Sequence, residues 1–394
     1  MGLQLLFMLV SFNFFSNILI SMRKLFCFFF LFPLVGVGQT YYKCATDEMN
    51  RRYSLENNRE EDSFQDTYKI PENSNYVIPV VFHVNDPTNP QKVTYAQIQS
   101  AMNILNEDFN ANNPEFNSLD PLFQSIAANV GVTFCLASVD PDGNPTNGVT
   151  YHYNDYHGMD PLLKSLSVWP CNQYLNIWIV NEPFDDGSIY QSGYATFPST
   201  FNANQGTDGI VYNHRYLGYG LGSSSISSPS HWQAFMARVL THEVGHYLHL
   251  YHTFQGACST PGDQVADTPP VNFFGSSTHS CPDASLICAG YNAVNDENFM
   301  DYSQCYSMFT EGQKIRMIDA LNSSNGYRNN LWSSSNLNIT GCSNATDIES
   351  LDFIQNKKLL RVIDVLGRQV DKQEYMLFFY IYDDGTVDKR IVVE

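Results

Sequence analysis

The chain of 394 residues carries 21 Lys+Arg against 40 Asp+Glu, a formal charge of −19. Such a field repels the phosphate backbone, which argues against nucleic acid as a partner, and strong acidity otherwise serves solubility. The length suffices for one enzyme-sized core with processing segments at both ends.

Two apolar stretches open the chain. In the second, Met22, Arg23 and Lys24 form a short basic start, Leu25 to Val35 form an apolar run, and Gly36 and Gly38 supply small residues before Gln39. That is the pattern of a secretory signal peptide, so residues 1–38 read as one, with Met22 a candidate for the true start. Asn13, Asn17 and three serines interrupt the first stretch and weaken it as a bilayer span, and no later segment is long and apolar enough for one. The mature form therefore carries no stable membrane span. Cys27 leaves with the signal peptide, so eight of the nine cysteines reach an oxidising compartment. Cys258, Cys281, Cys288 and Cys305 read as a staple for a loop-rich region. Four cysteines allow three pairings, and a structural zinc site is the rival reading.

Residues 39–75 are polar and charged, with no stripe long enough to make a core, and read as a pro-segment. Order is expected from Tyr76, where a β-branched run to Val84 predicts a strand; Pro79 places it early in that strand or at a sheet edge. Thr94 with Gln97 is a capping box, followed by Ile98, Ala101, Met102, Leu105 and Phe109 at helical spacing. Val130 to Ala137, Tyr174 to Val180 and Gly209 to Tyr212 read as further strands, which makes the core α+β or α/β. After a Gly/Ser-rich loop, Ser228 as N-cap and Pro229 at the first helical position predict a second long helix. Its apolar stripe comprises Trp232, Phe235, Met236, Val239, Leu240, Val244, Tyr247 and Leu248. Periodicity then vanishes until Phe309 to Leu321. Near the C-terminus, Leu359 to Val365, Met376 to Tyr382 and Val387 to Val393 read as strands, the last two joined at Asp383-Asp384-Gly385, a hairpin signal.

The chemistry is concentrated on the second helix. In His242-Glu243-Val244-Gly245-His246 the two histidines are four apart, so both imidazoles leave one helix face and can grip one Zn2+. Glu243 lies within the apolar stripe, where a carboxylate is costly unless it has a partner or a role, and low dielectric would raise its pKa toward that of a useful general base. His252, six residues after His246, supplies a third nitrogen and leaves the fourth tetrahedral position open for water, as a catalytic site requires. An unbroken helix would instead bring His249 near the same face as an alternative third ligand. His83, His152, His214, His231 and His279 lack ligand spacing and read as structural.

These residues resemble the metzincins, and within them the pappalysin family. The likeness runs over roughly residues 76 to 330. It is carried by THEVGHYLHLYHTF from Thr241 to Phe254 and by Asn298-Phe299-Met300-Asp301-Tyr302, together with Tyr174 to Ile179, Thr207 to Val211 and Asp267 to Pro270. The resemblance implies an α+β zincin with a mixed twisted sheet, an active-site helix and a loop-rich C-terminal subdomain containing helices. It also implies Met300 in a Met-turn beneath the metal, Tyr302 steadying the transition state, and Gly193 to Phe197 as the edge strand that receives an extended peptide. Disulfides Cys258–Cys288 and Cys281–Cys305 follow from the same likeness, as does Ca2+ near Asp267 and Thr268, where an acidic loop is an equal reading. Cys135 and Cys171 are a candidate third pair, which leaves Cys342 without an obvious partner. Where this chain has His249 the family has glycine, because the backbone turns there to bring the third histidine to the metal; histidine must accept some strain to do the same.

Cys44 resembles the cysteine of the family's pro-segment, a latency switch whose thiolate occupies the open metal position until the segment is cut away. Pairing with Cys342 is the alternative. The C-terminal strands resemble the end of a bacterial type IX secretion sorting domain, with a bland β-appendage as the alternative. Altogether the sequence predicts a secreted, bacterial zinc endopeptidase made as a zymogen and acting on protein or peptide substrates. Its parts are a signal peptide (1–38), a pro-segment (39–75), a catalytic domain (76–335) and a linker with a sorting tail (336–394). A catalytically silent surface or adhesion protein with a retained peptide cleft is the alternative, and the presence of Glu243 with all three histidines argues against it.

Overall fold

The computed structural model describes residues 44–47, 49–51, 76–185, 187, 191–219, 236–274, 278–343, 359–363, 377–382 and 387–391. The expected signal peptide and the helix start at Ser228 and Pro229 lie outside the described residues.

The strands are β1 (Tyr76–Asn85), β2 (Ala127–Ala128), β3 (Val132–Leu136), β4 (Val149–His152), β5 (Leu175–Val180), β6 (Gly193–Ala195), β7 (Ile210–Asn213) and β8 (Phe309–Thr310). The main sheet has the order β3-β1-β5-β7-β6, and β4 continues the β3 side of β1. All its pairs are parallel except β6–β7. β1 is thus a central strand, and of the two positions that Pro79 allows it takes the first, early in the strand. Proline is tolerated because Pro79 pairs only with β3, at Cys135, one residue before β5 joins the other side at Val80↔Leu175. Such a strand is covered on both faces, and every residue of β1 is buried. β4 was not foreseen: Val149 to His152 is too short to announce itself by periodicity.

The first long helix, Tyr95–Phe109, is capped as the sequence predicts, the Thr94 side chain accepting from Gln97 N. The box is only half closed, because the Gln97 amide donates to Leu217 O instead. Ile98, Ala101, Met102, Leu105 and Phe109 pack with Ile78, Val80, Phe82 and Val84 of β1 and with Val239, Leu240 and Val244 of the active-site helix in one core. The helix Glu311–Asn322 opens with a complete capping box between Thr310 and Gln313.

Two covalent and ionic ties close the C-terminal side of this unit. Helix Ser334–Thr340 ends at Gly341, and Cys342 bonds to Cys135 of β3, so the unit runs past the boundary expected at 335. That bond also corrects the suggested pairing of Cys135 with Cys171; Cys171 is a buried free thiol. Arg328 binds both carboxylate oxygens of Asp208, at 2.6 and 2.9 Å, and donates from Nε to Tyr247 O at the end of the active-site helix. Cys258–Cys288 and Cys281–Cys305 are both disulfide-bonded.

The C-terminal strands β9 (Leu359–Ile363), β10 (Leu377–Tyr382) and β11 (Val387–Ile391) form a separate antiparallel sheet with β10 in the middle. No helix among the described residues is long and apolar enough to cross a membrane.

Candidate active site

The site is built on helix Val239–Tyr247, every residue of which is buried. Its first turn is clamped from the end of the first helix: Asp108 accepts from Thr241 Oγ1 at 2.6 Å and from Arg238 Nε at 3.1 Å. The clamp fixes the turn from which His242 projects. Below the helix, a Cβ added to Gly245 would fall inside the van der Waals shell of Met300 Sδ, so glycine is what lets the Met-turn close up against it. The turn itself is pinned by reciprocal amide hydrogen bonds between Asn298 and Gln313, both 2.9 Å, and by Met300 N donating to Asn298 Oδ1.

The helix stops after Tyr247. His249 takes φ +74°, a left-handed turn, and its carbonyl accepts from Arg316 Nε at 2.7 Å. The chain therefore reverses at the position where the family has glycine, and the reading in which a continuing helix presents His249 does not occur. His252 arrives instead. The Nε2 atoms of His242 and His252 each lie 3.1 Å from His246 Nε2. Donors about 2.0–2.1 Å from one tetrahedral cation would stand about 3.3 Å apart, so the triad fits zinc.

Each imidazole is oriented through its other nitrogen. Nδ1 of His242 donates to Phe299 O and that of His246 to Leu250 O, both at 2.7 Å, while that of His252 meets Asp47 Oδ2 at 2.9 Å. Donation from Nδ1 turns the Nε2 lone pairs inward. Burial pushes His242 well below the usual histidine range and His246 to about 3, each helped by the neighbouring imidazoles, so both rings are neutral, as ligands must be.

Cys44 completes the group: its Sγ and one nitrogen of each of the three histidines lie within 4.8 Å of one another. The thiol donates to Glu243 Oε2 at 3.4 Å, and Thr46 Oγ1 reaches the same oxygen at 3.3 Å. Ser192 Oγ holds Oε1 at 3.5 Å. Burial raises Glu243 to about 8 against those three hydrogen bonds. Tyr302 Oη donates to Cys44 O at 2.9 Å and accepts from Cys44 N at 3.1 Å, so the residue expected to serve the transition state here grips the N-terminal segment.

That segment lies along the edge strand. Cys44 pairs with Gly193 in a parallel bridge, and Ala45 N donates to Gly193 O. Ala195 N donates to Thr46 Oγ1 at 2.9 Å, and Asn50 brackets Ala195 O and Phe197 N at 3.3 and 3.0 Å. Thr46, Asp47 and Asn50 escaped the sequence reading because they belong to a polar stretch with no periodicity; only their closeness to Cys44 marks them.

Asp267 and Thr268 both make hydrogen bonds within the protein. The Asp267 carboxylate accepts from Thr310 Oγ1 and Gly312 N, capping the helix at Glu311, and Thr268 Oγ1 donates to Asp263. Of the histidines read as structural, His83 is satisfied by Thr150 and Asn176 and His279 by Asp301 and Ser280. His231 lies outside the described residues.

A mixed sheet with an antiparallel edge strand, a buried helix bearing two of three convergent imidazoles and a methionine turn beneath them define a metallopeptidase of the metzincin class. A family model described as pregnancy-associated plasma protein-A matches residues 164–322. Mature mirolysin of Tannerella forsythia, solved in complex with a cleaved peptide, is 32% identical with a TM-score of 0.56, over 68% of this chain and 99% of that one. A promirolysin mutant from the same organism is 29% identical with a TM-score of 0.57, over 73% and 91% of the two chains. An extracellular metalloprotease of Verticillium alfalfae is 28% identical over 250 residues, 62% of this chain and 76% of that protein. The chain belongs to the pappalysin family and is a secreted zinc metalloendopeptidase.

Proposed function

We propose that His242, His246 and His252 hold the zinc, that Glu243 is the general base, and that Cys44 keeps the enzyme latent. The observation that carries this reading is the meeting of three inward-facing Nε2 atoms with Cys44 Sγ beside Glu243 Oε2. Zinc, when bound, supplies Lewis acidity, polarising a carbonyl and favouring ionisation of water near neutral pH. Glu243 takes the proton of the attacking water and passes it to the leaving amine. Tyr302 Oη, released from Cys44, donates to the oxygen on which charge develops.

The peptide substrate lies on β6 and uses the main-chain groups of Gly193, Ala195 and Phe197 that the N-terminal segment now occupies. Latency is therefore double: Cys44 fills the metal's open position and its neighbours fill the strand edge. We read residues 1–38 as a bacterial signal peptide, 39–75 as the pro-segment and the C-terminal sheet as a sorting tail for type IX secretion.

The full-length protein should bind one zinc and show little peptidase activity until residues 39–75 are removed, after which a chelator abolishes it. Cys44→Ala should raise the activity of the uncleaved form. An unchanged rate in Cys44→Ala would refute the switch, and stoichiometric zinc retained by His252→Ala would refute the ligand set.

A further inference from the structure

The three imidazoles are not held alike. His242 and His246 donate Nδ1–H to Phe299 O and Leu250 O, carbonyls of the catalytic unit itself. His252 instead pairs with Asp47, which belongs to the N-terminal segment and stands three residues after Cys44. One short stretch of chain thus brings both a fourth donor and the outer partner of the third.

His252 needs that partner more than the others do. It sits beyond the helix, in chain without regular structure, whereas His242 and His246 are fixed on one rigid turn-to-turn face. Its ring stacks on Phe254 with centroids 4.6 Å apart and meets the edge of Tyr302 at 5.0 Å. Those contacts set the ring plane but do not choose which nitrogen carries the proton. The Asp47 carboxylate does: it requires hydrogen on Nδ1 and leaves the Nε2 lone pair for the metal.

We propose that Asp47 is a positioning residue for His252, so that the N-terminal segment retains zinc as well as blocking the cleft. The inference rests on the ligand set proposed above. It makes latency and metal retention reciprocal: a segment that tightens zinc binding is itself docked more firmly when zinc is present. Cleavage then removes Cys44 and Asp47 together, and the activated site holds its metal with two fewer aids.

The test titrates zinc into the metal-free full-length chain against a chromophoric chelator, with Glu243→Gln in every arm to prevent self-cleavage. Asp47→Ala should weaken zinc binding about 10–100-fold, the range for loss of an outer partner of a metal ligand. Asp47→Asn, which keeps an acceptor for Nδ1–H, should recover part of the loss. The far-ultraviolet circular dichroism and the unfolding of the metal-free protein should not change. The same loss should appear in a Cys44→Ala background, because Asp47 acts through His252 and not through the thiol. Equal affinity of Asp47→Ala and its parent overturns the proposal, as does an effect that vanishes without Cys44. His252→Ala separates the two levels: if it keeps stoichiometric zinc, the ligand set has failed; if it loses zinc while Asp47→Ala does not, only the positioning role has failed.

Discussion

Gly245 and Met300 occupy space that only one side chain can fill. A Cβ on Gly245 would overlap Met300 Sδ, and Met300 is fully buried. Gly245→Ala must push the Met-turn away from the helix that carries both His242 and His246. Overpacking of this kind costs about 1–3 kcal/mol. The expected outcome is a lowered denaturant midpoint with an unchanged slope. Because the two side chains compete for one volume, Gly245→Ala combined with Met300→Ala should cost less than the sum of the single changes. Simple additivity would show that the overlap is relieved elsewhere.

Asp108 ties the first helix to the start of the second through Thr241 and Arg238. Asp108→Ala removes a fully buried carboxylate and leaves Arg238 still paired with Glu115, itself partly exposed. Breaking a buried pair costs about 3–5 kcal/mol when no partner remains, so the retained Glu115 places the loss at or below the lower end. Thermal unfolding should show it, and Asp108→Ala combined with Glu115→Ala should be worse than either alone. A stability equal to the parent would remove Asp108 from the account of how the helix is held.

His279 links the disulfide-stapled region to the Met-turn, its Nε2 lying 2.7 Å from Asp301 Oδ1. Burial alone would lower its pKa, but the hydrogen bond and charge of Asp301, with help from Asp296, raise it. The folded protein therefore holds this proton more tightly than the unfolded chain. The stabilisation is complete below the unfolded value of 6.5 and is lost as pH rises through the raised folded value. Unfolding of the parent and of His279→Gln should differ more at about pH 6 than at about pH 9. An equal or opposite difference would mean that the pair does not titrate as a unit with folding.

Cys342 fastens helix Ser334–Thr340 to β3 through Cys135, across a sequence separation of 207. Val77 and Leu337 pack beside the bond. Chain-entropy arguments assign about 5 kcal/mol to closing so long a loop, with wide scatter in practice. A chain ending after residue 335 should thus be clearly less stable and more readily cut by protease than one ending after residue 343. Equal protease resistance of the two would return the domain boundary to 335.

The histidines four apart on an apolar stripe, the Met-turn phrase and the strand from Tyr76 were legible because they are local: periodicity and spacing express which face of an element looks inward. So was the turn at His249, once the family's glycine was set beside it, since the conformation belongs to one residue. Pro79 left two positions open, early in the strand or at an edge, because a proline signals a missing hydrogen-bond donor but not on which side of the strand a neighbour is absent; the fold chose the first. Cys135 and Cys342 met only through the fold, as loop closure over so many residues leaves no mark in spacing.

The sequence by itself determined the class of chemistry, because metal-ligand types and helical spacing are properties of neighbouring residues. Which group orients each imidazole was decided only by tertiary structure. Phe299 and Leu250 contribute carbonyls that every residue possesses, and Asp47 comes from 205 positions away from His252. Such partners are chosen by where the chain passes, and side-chain identity does not record it.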